Sequence, residues 1–448
     1  MISKYSNRHK ILRQITEFPV TSGNVARMQP TILLVTSNGI GMGHLARAVA
    51  IGQALKGRAE VVIASMAYGI SEVNAATGIK TFYIPGRDKA DVPKYAWESF
   101  LRDQILQLAQ ETNAQVVTFD GVVPYPGILS AKLKNNQFKL VWIRRGFWQR
   151  KLHTLALGMQ SSLMDAIIEP TDFASESDIG PTAKRKDAIK IAPVSLFVSN
   201  TAQSKENARK TLGLDPVKPA VLVQLGTGAA DVNQKMTAAL KGLIGWKDCQ
   251  VVLTKEPKDS SGKSLAPSGL NLKIIRYFPL ANLLNAFDGA VSAAGYNGVH
   301  ELLAAKIPTV LVPNIRGTDD QVRRAKWCQD NGFALFADQS NLNDIESQVR
   351  KLQDEQVRNS LAKKCQNLPE VNGAKSAAEL LLNIANNQKA STKSSIKNQL
   401  IVKTLFTLTL VFRFLKSLIK TKLLKRFTVF FKKVLQYYFV AFLIASSP

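Results

Sequence analysis

Residues 291–301 read Val291-Ser-Ala-Ala-Gly-Tyr-Asn-Gly-Val-His-Glu301. A short apolar run enters a glycine-containing turn, and a helix with a carboxylate near its start follows. Leu302-Leu-Ala-Ala-Lys-Ile-Pro308 continues the helix, Val310-Leu-Val-Pro313 is a second strand, and Asp319-Asp320-Gln321 follows its loop. Backbone N–H groups at such a helix start face an anion, and the helix dipole favours negative charge there. Glycine lets the backbone approach without a Cβ clash. The stretch therefore suits a phosphate or diphosphate. Glu301, about one turn into the helix, is placed to accept hydrogen bonds from a ribose. Asp320 and Gln321 reach the same rim, which completes a pocket suited to a nucleotide carrying a sugar.

A second glycine turn lies near the other end. Thr31-Ile-Leu-Leu-Val-Thr36 is an apolar, β-rich run, and Asn38-Gly39-Ile-Gly41-Met-Gly43-His44 follows at once. Leu45 to Leu55 then has the pattern of a helix. The order strand, glycine turn, helix fits a phosphate loop. It departs from the dinucleotide fingerprint, because His44 stands where that loop would continue and Ser65 and Met66, not an acid, follow the next strand. A histidine at a helix start is disfavoured in its protonated form, and a neutral imidazole is a competent general base. The plainer alternative is a residue that only closes the turn.

The remaining chain alternates strand and helix. Strands are expected near 31–36, 60–64, 80–84, 115–119, 139–143 and 166–168, with helices over 44–56, 70–77, 94–111, 126–134 and 155–164. The polar stretch Asp172 to Lys190 reads as a loop, and Ile191 to Val194 as the crossing to a second unit. There, strands are expected at 220–225, 249–254, 272–275, 289–292 and 309–312, and helices at 233–243, 279–286, 298–305, 320–331, 342–353 and 374–387. This pattern predicts an α/β protein of two doubly wound parallel sheets facing a cleft. The expected units are a basic tail over 1–29, a first domain over 30–194, a second over 195–390 and a basic tail over 391–448.

Composition limits the alternatives. The chain has 448 residues, 46% hydrophobic, and a formal net charge of +26. Its three cysteines, Cys249, Cys328 and Cys365, are far apart and form no CxxC, so neither a disulfide framework nor a zinc site is indicated. The first thirty residues lack an apolar core of signal-peptide length. After Glu379 there is no acidic residue, yet about a dozen Lys and Arg occur. Between Val411 and Tyr438 apolar residues recur at steps of three, four and seven with cations between them, a basic amphipathic helix suited to an anionic membrane surface. The stretches 399–412 and 437–445 are short for a bilayer span. A tilted span with snorkelling lysines and a helix packed on protein are the alternatives. Nucleic acid is not expected, because no aromatic single-strand platform accompanies the charge.

With these motifs the chain resembles the GT-B-fold glycosyltransferases of family 28, the group of the peptidoglycan lipid-intermediate N-acetylglucosaminyltransferase. The resemblance covers roughly residues 30–388 and is strongest at Gly39 to Arg47 and Phe278 to Gln321. It implies a UDP-sugar donor and no separate cofactor. It implies that Gly41, Gly43 and His44 face the acceptor and the donor phosphates, with the histidine as base. Gly226, Thr227 and Gly228 resemble the diphosphate-contacting turn of the second domain. Tyr277 and Phe278 fall where the family's backbone holds the uracil. Gly295, Asn297 and Gly298 resemble the diphosphate-binding helix start, Glu301 the ribose carboxylate, and Asp320 with Gln321 the pair that reads the sugar hydroxyls.

Each assignment has a plainer counterpart. Gly226 to Gly228 also fits a tight turn, Tyr277 and Phe278 hydrophobic packing, and Glu301 a carboxylate on the helix dipole. Asp319 and Asp320 also fit an N-cap. Asp120, at the end of Val116 to Phe119, either orients His44 or stabilises the Gly121 turn. Arg144 and Arg145, with Arg47, either meet an anionic acceptor or are ordinary charges. The expected reaction is a metal-independent inverting displacement that moves a hexose or N-acetylhexosamine to a lipid-linked or envelope-polysaccharide hydroxyl. The expected location is the cytoplasmic face of the plasma membrane, peripherally attached. A nucleotide-sugar hydrolase on the same fold and a catalytically idle nucleotide-sugar binder are the alternatives.

Overall fold

The computed structural model describes residues 29–37, 42–135, 137–149, 154–226, 231–254, 267, 269–315 and 318–386. The first sheet is parallel, with strands β1 (Thr31–Thr36), β2 (Glu60–Ser65), β3 (Lys80–Tyr83), β4 (Val116–Asp120), β5 (Lys139–Ile143), β6 (Ala166–Pro170) and β7 (Ile189–Ile191). Its spatial order is β3-β2-β1-β4-β5-β6-β7. Helices α1 (Gly43–Leu55), α2 (Ile70–Thr77), α3 (Lys94–Glu111), α4 (Pro126–Lys134) and α5 (Thr154–Ser162) are its crossovers. Ile32 to Val35 and Val116, Val117 and Phe119 are buried on both faces. That explains their continuous apolar runs, because helices cover both sides of a parallel sheet.

The second sheet contains β8 (Ala220–Gln224), β9 (Gln250–Thr254), β10 (Asn271–Ile275), β11 (Gly289–Ser292), β12 (Thr309–Leu311) and β13 (Leu335–Phe336), in the order β10-β9-β8-β11-β12-β13. Around it lie α6 (Lys205–Leu212), α7 (Val232–Gly242), α8 (Tyr296–Ala304), α9 (Gln321–Asp330), α10 (Leu342–Arg350), α11 (Glu355–Cys365) and α12 (Gly373–Asn386). Both sheets reverse strand order once: the first between β1 and β4, the second between β8 and β11. In open α/β sheets the crevice at such a switch point is where ligands bind.

Several expectations change. The stretch read as a loop contains β7 and a 3-10 turn at Ser175–Ser177. Helices α6 and α11 and the short strand β13 were not anticipated. The signals for α6 were local: Ser204 accepts from Asn207 N–H as an N-cap, and Gly213 closes the helix in the left-handed region. Residues 280–286 form a 3-10 helix instead of an α-helix.

The chain also crosses back. Helix α12, assigned from sequence to the second unit, packs on α1, β1, β4 and β7 of the first. Gly373 opens that return: its N–H donates to Pro193 O at 3.1 Å, and Asn372 bridges Val194. The expected amphipathic helix between Val411 and Tyr438, and the whole stretch 399–445 expected to contact the membrane, lie outside the described residues, as do residues 387–390. Among the described residues, no helix is long and apolar enough to cross a membrane.

A Cβ on Gly373 would stand 1.9 Å from Ala192 O, a backbone atom that cannot swing away. Gly373→Ala is expected to lower stability by about 1–3 kcal/mol, read as a lower urea midpoint. Gly158→Ala, in α5 where a Cβ meets nothing within 4 Å, is expected to keep or slightly raise the midpoint.

Candidate active site

The two switch points face each other across one cavity of about 450 Å3. From the second domain it is lined by Gln224 and Gly226 at the exit of β8, Ser292 at the end of β11, and Gly295, Asn297, Gly298 and Glu301 of α8. Tyr277 and Phe278 form another wall. The first domain supplies Met42, Gly43 and Ala46 from the exit of β1 and the start of α1. Gly226 has φ +72, a left-handed conformation that glycine tolerates and L side chains rarely adopt. Gly295 is the N-cap of α8, so the first N–H groups of that helix open toward the cavity.

Glu301 lines the cavity together with the ionisable residues Glu72, Arg276 and Tyr277. Burial pushes its carboxyl up to about 7, against a hydrogen bond from the Leu196 backbone. A ribose diol that donates to it favours the ionised form. Asn297 spans the domains: its Nδ2 donates to Gly43 O at 3.0 Å.

His44 sits beside the cavity, at the start of α1. Its Nδ1 lies 2.6 Å from Asp120 Oδ1. Strands β1 and β4 are neighbours with Thr36 opposite Asp120, so the switch point delivers both residues to one spot. Arg47, one turn after His44, donates Nε to Asp120 Oδ2 at 2.9 Å and Nη2 to Oδ1 at 2.6 Å. Arg47 Nη2 also approaches His44 Nδ1 to 2.8 Å. A guanidinium has only donors, so we read this approach as two donors converging on one carboxylate oxygen. In that tautomer Nδ1 carries the proton and Nε2 is the basic edge. Burial lowers the His44 pKa more than Asp120 raises it. Burial alone would raise the Asp120 carboxyl, but Arg47 and His44 hold it below the usual range. The imidazole is thus neutral at neutral pH and oriented by an ionised carboxylate.

A second buried charge cluster joins the domains. Arg324 of α9 is fully buried and donates Nε to Asp172 at 2.8 Å, Nη2 to Asp319 at 2.9 Å and Nη1 to Ala294 O at 2.8 Å. Arg145 stands 3.4 Å from Asp319. Trp148 pairs in antiparallel fashion with Asp319, so the loop after β5 is zipped to the loop after β12. His300 accepts from Phe173 N–H at Nε2 (3.1 Å) and meets Tyr296 O through Nδ1 (2.6 Å), and burial pushes its pKa down to about 4.

Of the residues expected from sequence, Gly43, Gly226, Tyr277, Phe278, Gly295, Asn297, Gly298 and Glu301 line the cavity. Gly41, Thr227 and Gly228 lie outside the described residues. Three assignments are corrected. Arg144 is not available to an acceptor: it is fully buried, bound to Glu169 at 2.9 Å and Asp187 at 2.8 Å. Arg47 is likewise buried and spent on Asp120. Asp320 caps α9, accepting from Arg323 N–H at 3.1 Å, which is the plainer reading of that residue. Gln321 is buried, with Oε1 accepting from Asn314 N–H at 2.9 Å, and its Nε2 stands 3.8 Å from where a Gly295 Cβ would be. Asp172, Asp319 and Arg324 were missed as interdomain residues, because nothing local marks a charge that will pair 152 positions away.

Residues 220–381 match the model of the glycosyltransferase family 28 C-terminal domain. The chain is 24% identical over 373 residues to a Corynebacterium diphtheriae protein named UDP-N-acetylglucosamine–N-acetylmuramyl-(pentapeptide) pyrophosphoryl-undecaprenol N-acetylglucosamine transferase, covering 79% of this chain and 97% of that one. A Paenarthrobacter aurescens protein of the same name is 31% identical over 183 residues, covering 39% of this chain and 49% of the relative, so the alignment spans about half of its length. The crystal structure of Acinetobacter baumannii MurG superposes with a TM-score of 0.51 at 17% identity, over 79% of this chain and all of that one. The fold is therefore GT-B, and residues 220–381 of the second unit are similar to a family 28 C-terminal domain.

Asp120→Asn is expected to reduce kcat by about 10²–10⁴-fold by releasing the wrong His44 tautomer, while UDP affinity stays within twofold, because Asp120 does not line the cavity. UDP binding is expected to weaken as pH falls through about 7, the range in which Glu301 protonates, and Glu301→Gln is expected to flatten that dependence in titration calorimetry.

Proposed function

We propose that this chain, a GT-B protein with a family 28 C-terminal domain, transfers a hexose or N-acetylhexosamine from a UDP-sugar to a hydroxyl acceptor. The observation that carries this reading is the Asp120–His44 pair beside a cavity whose second-domain wall is a helix start and the Glu301 carboxylate. A base on one side and a nucleotide-diphosphate cradle on the other suit displacement at a carbon between them.

In the proposed step His44 Nε2 takes the proton of the acceptor hydroxyl as its oxygen bonds to the anomeric carbon. The bond from that carbon to the diphosphate oxygen breaks, and UDP leaves with the electron pair. Attack from the side opposite the leaving group inverts the anomeric centre. The N–H groups at the start of α8 and the turn at Gly226 stabilise the leaving charge, a task assigned here to backbone and not to a metal. His44 becomes cationic as the diphosphate gains charge, and each offsets the other. Asp120 supports the imidazolium, while Arg47 keeps Asp120 ionised.

The relatives' names describe a lipid-diphosphate acceptor, and we propose an acceptor of that kind, lipid-linked or an envelope polysaccharide, met at the cytoplasmic face of the plasma membrane. The basic stretch 399–445 is proposed to hold the enzyme peripherally on anionic lipid. Truncation after residue 390 is expected to abolish sedimentation with phosphatidylglycerol vesicles while UDP binding persists. Retained sedimentation would remove the tail from this role.

Radiolabelled UDP-hexoses and UDP-N-acetylhexosamines, with and without bacterial membrane lipid extract, test the reaction. Label in the lipid or polymer fraction only with extract is the expected result. Equal release of free sugar without extract would identify a hydrolase, and UDP binding without turnover of any donor would favour an idle binder.

A further inference from the structure

A second cavity of about 420 Å3 shares no lining residue with the donor cavity. It lies in the first domain, where the exit of β3, the start of α3 and the loop after β4 meet. Tyr125 supplies a partly exposed ring backed by the buried Trp97, Arg87 and Lys94 stand at the exposed edge, and Asp88, Glu98 and Gln160 add polar groups.

Its walls are held in place. The Trp97 and Tyr125 rings meet edge to face at 5.2 Å, and Tyr125 meets Phe119 at 5.4 Å. Trp97 Nε1 donates to Pro85 O at 2.9 Å, and Glu98 Oε2 accepts from Gly127 N–H at 2.8 Å. The cavity is also tied to the reaction centre. Its loop begins immediately after Asp120, and Trp142 Nε1 anchors Gly121 O at 3.0 Å. Tyr125 is five residues beyond Asp120, so the chain between them spans at most about 18 Å.

The lining chemistry selects a ligand class. A pyranose ring presents C–H faces to aromatic rings, whose faces are electron-rich, and hydroxyls in its rim both donate and accept. This cavity offers that mixture: the Tyr125 ring, two cationic side chains, the carboxylates of Asp88 and Glu98, and the primary amide of Gln160. A hydrocarbon chain would strip water from Arg87 and Lys94 and return no hydrogen bond. The volume falls in the lower part of the range for small-ligand sites. Outside the cavity, Tyr83 at the end of β3 stacks on Tyr68 with centroids 5.6 Å apart, and both rings are exposed. That pair extends the aromatic surface of the same sheet edge four residues before Arg87.

We propose that this cavity is an acceptor subsite that holds a pyranose unit of the acceptor neighbouring the one that reacts. The proposal rests on the transferase reading given above and adds to it that the acceptor contains more than one sugar, or a sugar beside the reacting group.

Saturation-transfer NMR on the full chain, with chitotriose and cellotriose as probes and UDP titrated separately, tests it. Transfer to at least one trisaccharide is expected, undiminished by saturating UDP. Tyr125→Ala is expected to weaken the trisaccharide about tenfold. The doubly substituted Arg87→Ala, Lys94→Ala chain, altered only at exposed positions, is expected to weaken it severalfold. UDP affinity should stay unchanged in both. No transfer to either trisaccharide, competition by UDP, or equal binding in the doubly substituted chain would overturn the subsite. Loss of UDP binding with trisaccharide binding intact would instead strike at the donor reading and leave the subsite standing.

Discussion

Arg324 holds the cleft together. Its guanidinium is fully buried and reaches Asp172 of the first domain, Asp319 of the β12 loop and the carbonyl of Ala294 at the mouth of α8. One side chain therefore fixes the domain interface, the loop before Gln321 and the turn that opens the donor helix. Burial opposes a charge on Arg324, but Asp172 and Asp319 outweigh it and keep the guanidinium protonated. Removing one partner of such a buried pair leaves an uncompensated charge, at a cost of about 3–5 kcal/mol. The donor cavity depends on this arrangement because Gly43 and Asn297, from different domains, share its wall.

The same principle organises the catalytic corner on a smaller scale. Asp120 and Arg47 are removed from water, where an unpaired charge would be expensive, and His44 is partly buried against them. Asp120 accepts from both neighbours, which keeps the carboxylate ionised, while burial keeps the imidazole neutral. Arg145 adds a further cation near His44, itself lowered by burial and balanced by Asp319. Around this corner Arg47, Arg145 and Arg324 are paired with Asp120, Asp319 and Asp172, and His44 stands among them uncharged. A protonated His44 would face Arg47 and Arg145, which disfavours that form.

The sequence made much of the frame readable. The strands and most helices follow from alternation of apolar runs with glycine turns, because a parallel sheet covered on both faces demands continuous burial. Helices α6 and α11 were missed because they are polar with only a few buried positions, Ala208, Arg209 and Leu212 in one and Leu361 and Cys365 in the other. The turns at Gly226 and Gly295 and the place of Glu301 on the cavity wall were legible because each lies a few residues beyond a strand exit. Arginine roles were not. Arg144 and Arg145 are adjacent in sequence, yet one is enclosed by Glu169 and Asp187 and the other turns toward Asp319. Neighbouring residues leaving a strand point to opposite faces, and only the packed elements decide what each face meets.

By itself the sequence determined the two Rossmann-like units, the strand exits that bear the glycines, and the histidine and carboxylate nearest the interdomain cavity, since each rests on patterns a few residues long. Tertiary structure alone decided that Asp120 orients His44, that Arg47 and Arg144 are buried partners and that Asp320 is a cap. It also decided that α12 returns to the first sheet and that a second cavity opens beside the catalytic loop. These depend on which distant side chains are excluded from water together. A buried charge must find its partner wherever the fold brings one, and sequence separation places no limit on that distance.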